Sequence, residues 1–109
     1  MNRAKIEDAL LAMGVPAWIK GFNYIVDAIQ IYVERGINVG ITTTIYPAIA
    51  ENNNTKPSSV ERAIRHAFKI VRGTKGNPKV VEKYIGFKNP SNASSLKQLY
   101  MMLKREEEE

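Results

Sequence analysis

The sequence predicts an all-α protein of about six helices built around a central helix-turn-helix. Three observations carry this. Apolar residues recur every three or four positions in successive segments, as in helices with one buried face. Short stretches rich in Gly, Pro and Asn, which end helices and make turns, separate those segments. No segment alternates apolar and polar residues over a useful length: Ile37 to Ile45 is β-branched enough to suggest a strand, but it has no pairing partner.

The elements follow in order. Arg3 to Met13 sets Ile6, Leu10 and Met13 on one helical face, and Gly14 stands where a left-handed residue closes a helix. Val15-Pro16 is a connector, because the residue before proline avoids the α region. Ala17 to Arg35 turns Ile25, Ala28, Ile29 and Tyr32 inward and ends at Gly36. Gly21 is a weak point near its start, which leaves open one helix or a short helix followed by a longer one. Ile41 to Glu51 repeats the pattern through Ile41, Ile45, Ile49 and Ala50, and Pro47 fits there only in the first turn or at a kink. Asn52 to Thr55 is a turn, followed by a helix over about 58–72. Gly73 to Pro78 is a loop, and Val80 to Ile85 a short helix closed by Gly86. Asn89-Pro90-Ser91-Asn92 caps a last helix to about Arg105, with Leu96, Leu99, Tyr100 and Leu103 inward. Trp18 reads as a core or helix-packing aromatic, and Met101-Met102 as core or a dimer edge.

Composition narrows the function. A chain of 109 residues, 44% hydrophobic, suits one domain with a modest core, and it carries no internal repeat or low-complexity linker. The absence of cysteine excludes disulfides, thiol nucleophiles and Cys-based metal sites. No apolar run approaches the roughly 20 residues that span a bilayer, and no signal peptide opens the chain, so the expected location is cytoplasmic, away from membranes. The formal charge of +5 includes the run Glu106 to Glu109, expected to fray as a solvated acidic tail. Without those four acids, 16 Lys and Arg face 7 Asp and Glu, a net of +9 for residues 1–105. A body that basic favours a polyanionic partner.

The helix over 58–72 concentrates that charge. At about 100° per residue, Val60, Ala63, Ile64, Ala67, Phe68, Ile70 and Val71 share one half of the wheel. Ser58, Ser59, Glu61, Arg62, Arg65, His66, Lys69 and Arg72 share the other. Small residues on the inner side allow close approach to a neighbour. Thr55 or Ser58 suits the N-cap, and Ser58 with Glu61 has capping-box spacing. Ala50, Asn54 and Val60 have the spacing of the alanine, turn residue and buried aliphatic of a helix-turn-helix, and Asn tolerates the left-handed turn conformation. Joined to a basic outer face, the pattern points to the major groove of double-stranded DNA.

The segments GVPAWIKGFNYIVDAI (14–29), IYPAIAENNNTKPSSVERAIRHA (45–67) and NPSNASSL (89–96) resemble the C-terminal effector domain of the stage zero sporulation response regulators. The resemblance spans nearly the whole chain. It implies an all-helical domain that binds a short DNA box in tandem copies or as a homodimer, with the sigma subunit of RNA polymerase as a protein partner. Carried over by position, Glu61 and Arg62 become the base-reading pair, since Arg suits a guanine edge and Glu a cytosine amino group. Arg65 and His66 then hold phosphates, as do Lys69 and Ser58 by position on the wheel. Ser59 joins the base-facing positions but stands where the family pattern has arginine, and Thr42-Thr43-Thr44 lacks the family's basic residue before the YP pair. The first departure removes a base or phosphate contact and implies a relaxed or shifted target. Arg72 and Lys75 read as favourable charges at a helix end, and Lys20 as structural or close to the DNA backbone.

Other classes fare worse. One histidine, no cysteine and no paired carboxylates inside a recognisable pocket leave no base, nucleophile or metal cluster to assign, and no glycine motif cradles a phosphate, so neither catalysis nor a cofactor is expected. The competing reading is a helical protein-interaction module, or a truncated regulator pairing with a full-length homologue. It predicts an exposed apolar patch, for which the sequence offers only the C-terminal Leu/Met/Tyr helix.

Overall fold

The computed structural model describes residues 1–88 and 91–109. Six α-helices account for the described fold: α1 (Arg3–Met13), α2 (Lys20–Arg35), α3 (Tyr46–Asn52), α4 (Pro57–Arg72), α5 (Pro78–Tyr84) and α6 (Asn92–Glu108). No strand occurs among the described residues. α2 lies across α4 and also packs on α1 and α6, so it forms the centre of the molecule, with α3 leaning on the start of α4. Ile6, Leu10, Ile25, Ile29, Tyr32, Ile64, Phe68, Leu96 and Leu99 are each at most 1% exposed and make one continuous core. Burying side chains of this size contributes roughly 1.5–3 kcal/mol each.

Helix ends differ from the sequence expectations for local reasons. α1 matches its predicted span, and Gly14 at φ 103° donates its N–H to Leu10 and Leu11 carbonyls. α2 starts at Lys20 instead of Ala17, because residues 17–19 form a turn in which Ile19 N donates to Pro16 O. Trp18, expected in the core, is carried on that turn and is 86% exposed.

The helix expected over 41–51 divides into a π-helical turn (Ile41–Ile45) and α3. Gly40 O accepts from both Thr44 N and Ile45 N, and Tyr46 N bonds Ile41 O. Pro47 lies in the first turn of α3, and its missing N–H cannot reach back to Thr43, which favours the wider register before it. α5 begins at Pro78, capped by the Asn77 side chain on Val80 N, and so starts earlier than Val80.

α6 is capped by Ser91 Oγ accepting from Ser94 N; Asn89 and Pro90, which the sequence places in the same cap, lie outside the described residues. The acidic run does not fray. α6 continues to Glu108, and Glu106 is held by the Lys83 ammonium and by Tyr84 Oη, 2.9 Å from one carboxylate oxygen. Of the methionine pair, Met101 is exposed and Met102 half-buried, while Tyr100 stacks at a tilt on Tyr32 with ring centroids 5.7 Å apart.

Candidate nucleic-acid interface

The candidate site is the outer face of α4 and the turn that delivers it. Between α3 and α4 the chain reverses at Asn54, at φ 52° the one non-glycine residue with positive φ among the described residues. Thr55 N donates to Ala50 O at 2.9 Å, and Asn53 Nδ2 donates to Ile49 O at 2.8 Å, so the end of α3 is closed by the turn itself. Ala50 and Val60 are buried on either side of it.

The start of α4 departs from the expected capping box. The N-cap is Lys56, in extended conformation, and no side chain caps the helix. Pro57 explains this: it requires an extended residue before it, and its missing N–H suits the first helical position. Ser58 is therefore inside the helix, and the Glu61 carboxylate turns forward to the Arg65 guanidinium, one helical turn on, instead of back to the cap.

The inner face of α4 is held against α2 at very short range. An ideal Cβ on Gly21 would lie 2.3 Å from Ala63 O and 2.9 Å from Ala67 Cβ. Gly21 is thus a point of backbone contact, and the small residues Ala63 and Ala67 are its counterpart. Val60, Ile64, Ala67, Phe68 and Val71 are buried, while Ala63 and Ile70 are partly covered.

On the outer face, Ser58, Arg62, Arg65, His66 and Lys69 are exposed. Ser59 and Glu61 are half-buried at its edge, so Ser59 is less open than the wheel suggests. Arg65 is occupied by Glu61; among the described residues, the side chains of Arg62, His66 and Lys69 have neither a hydrogen bond nor an ion pair. The face is a row of exposed basic side chains, of which only Arg65 has a carboxylate partner among the described residues.

Arg72, grouped with that face on the wheel, leaves it. Its Nε donates to Gly86 O at 2.9 Å and its Nη2 to Ile85 O and Ser95 Oγ, at 3.3 and 2.8 Å. Burial without a carboxylate partner lowers its pKa. Lys20 is exposed beside Gly21, at the end of α2 that touches α4.

Two supporting residues have no local signal in the sequence. Asn92, 8% exposed in the first turn of α6, donates through Nδ2 to Tyr46 Oη at 3.0 Å and to Glu61 O at 2.9 Å. Burial raises the pKa of the Tyr46 hydroxyl; the Asn92 bond and Arg65 oppose that, and Glu61 adds to it. Their only mark in the sequence is polar character near helix starts, and the partners are far apart along the chain.

The family model described as Sporulation initiation factor Spo0A C terminal matches residues 6–104, which reaches from within α1 to within α6. Among the described residues, no helix is long and apolar enough to cross a membrane. The chain belongs to the Sporulation initiation factor Spo0A C terminal family, the DNA-binding domain of a sporulation transcription regulator.

Proposed function

We propose that this domain binds duplex DNA sequence-specifically, with α3 and α4 acting as a helix-turn-helix and α4 lying in the major groove. The observation that carries the reading is the outer face of α4: a row of exposed Arg, His and Lys side chains on a helix locked from behind at Gly21. A rigid helix with free cations can follow a phosphate-lined groove without reordering first. In this reading Glu61, Arg62 and Ser59 face base edges. Ser58, Arg65, His66 and Lys69 face phosphates.

Binding also requires a rearrangement. Arg65 is paired with Glu61 in the free protein, so a phosphate that takes Arg65 releases the Glu61 carboxylate toward a cytosine amino group. Tandem or paired copies on the DNA, contact with a sigma subunit and action in the cytoplasm belong to the same proposal.

The test is a salt titration of binding to a fluorescent duplex. Each neutralised phosphate contributes about −0.9 to the slope of log K against log salt, so a slope of several negative units is expected. A slope near zero would falsify the reading.

A further inference from the structure

Asn92 sits where a purely structural residue would be badly chosen. Its side chain is almost wholly enclosed, and its Oδ1 has no hydrogen-bond partner among the described residues. An enclosed, unsatisfied carbonyl oxygen is a cost that an apolar side chain of the same size avoids. Exchanging O and N does not remove it: the oxygen would then face the Glu61 carbonyl, acceptor against acceptor. What the amide does achieve is a junction. One nitrogen reaches the first residue of α3 through Tyr46 Oη and the second turn of α4 through Glu61 O, from the first turn of α6.

That junction lies under one part of α4. The bonded carbonyl belongs to Glu61, next to Arg62, in the segment proposed to face base edges. The far end of the helix has a separate tie, through Arg72 to Ile85, Gly86 and Ser95. Gly21 fixes the distance between α2 and the middle of α4 through backbone contact. The hydrogen bond to the Glu61 carbonyl adds a directional tie nearer the start of the helix. Base readout depends on such placement, whereas attraction to phosphates tolerates small shifts.

We infer that Asn92 is a positioning residue for sequence readout: by holding Tyr46 and the Glu61 carbonyl together, it sets the register in which α4 presents Glu61 and Arg62 to DNA. The inference rests on the proposed docking of α4, and it adds a residue that itself touches no base.

The experiment uses the full chain. Wild-type protein first selects a duplex from a random pool, and binding is then measured on that duplex and on versions mutated one base pair at a time. Asn92→Leu keeps the branched shape and removes the bonds; Asn92→Ala removes them without new bulk and serves if the leucine variant does not fold. Thermal melting confirms folding before any binding is measured. Wild type is expected to discriminate at least about tenfold at the base pairs that α4 reads. Each variant should fall to threefold or less there, with its salt slope on scrambled DNA unchanged. Folded variants that keep the wild-type discrimination, or that lose affinity equally on all duplexes, overturn this inference alone. A wild type without any sequence preference overturns the proposed function and this inference with it.

Discussion

Arg62 and Arg72 stand on the same helix, share one half of its wheel and meet opposite fates. Arg62 is exposed and, among the described residues, unpaired; Arg72 turns inward and spends its donors on two carbonyls just after α5 and a hydroxyl in the first turn of α6. The difference teaches that basic residues on one half of α4 do not share one environment: most stay open to solvent, and Arg72 is tied into the fold. The same division applies to the whole chain. Lys83 and Glu106 neutralise each other at the C-terminal side, while the cations at Arg62 and Lys69 stay uncompensated among the described residues. Net charge alone therefore overstates how much of the surface is available to a polyanion, and the position of each charge decides the matter.

The largest effect is expected where the exposed basic face is held from behind. Gly21→Ala places a methyl group 2.3 Å from Ala63 O, closer than any real contact, and the obstacle is backbone that cannot rotate away. α2 and α4 must separate, and overpacking of this kind destabilises by about 3 kcal/mol. Urea denaturation followed by circular dichroism measures it. A loss under about 1 kcal/mol would show that α4 is not locked against α2, and the contrast between a rigid inner face and an open outer face would fail.

The two arginines can be separated directly. Arg72→Ala leaves two carbonyls and the Ser95 hydroxyl without their donor, a loss of about 1–3 kcal/mol in stability. DNA affinity at a temperature where the variant is folded should be unchanged. Arg62→Ala should do the reverse, with stability within about 0.5 kcal/mol of wild type and binding to the selected duplex weaker by roughly 1–3 kcal/mol at one base pair. Arg65→Ala should weaken all duplexes alike and reduce the salt slope by about 1. Matching profiles for Arg62→Ala and Arg72→Ala on both assays would dissolve the distinction.

How much of this was legible in the sequence follows from how far apart the interacting residues lie. Periodicity and the Ala50, Asn54, Val60 spacing are local, and so the helices, the turn and the exposed face of α4 could be read directly. The capping box failed because Pro57 dictates the conformation of Lys56, a stronger local rule than the Ser58–Glu61 spacing. Trp18 failed because its apolar character says nothing about a turn that points it outward. Gly21 was legible as an exception to helix propensity but not as a close contact, since its partners Ala63 and Ala67 are on another helix. Asn92, Arg72 and Glu106 could not be read, because each gains its role from partners supplied by other elements.

The smallest effect sharpens the comparison at the other end of the molecule. Burial alone would push the Glu106 carboxyl up, but hydrogen bonds from Lys83 and Tyr84, with the Lys83 charge, outweigh it and hold Glu106 below the usual glutamate range. For Lys83, the Glu106 bond comes first among the causes that raise it above the usual lysine range. The signs agree. A depressed carboxylate adds stability above its unfolded pKa and loses it as pH falls through the folded value; a raised ammonium adds stability below its unfolded pKa and loses it as pH rises through the folded value. The tie between α5 and α6 is thus complete at neutral pH and weakens at both extremes. Exposed ion pairs contribute little, so Glu106→Gln should lower the melting temperature by no more than a few degrees at pH 7. Once pH has fallen through the depressed pKa of folded Glu106 the difference should vanish, because wild-type Glu106 is then protonated as well. Melting curves of both proteins across the acid range decide it, and a gap that stayed constant into strong acid would mean that Glu106 acts through packing and not through its charge.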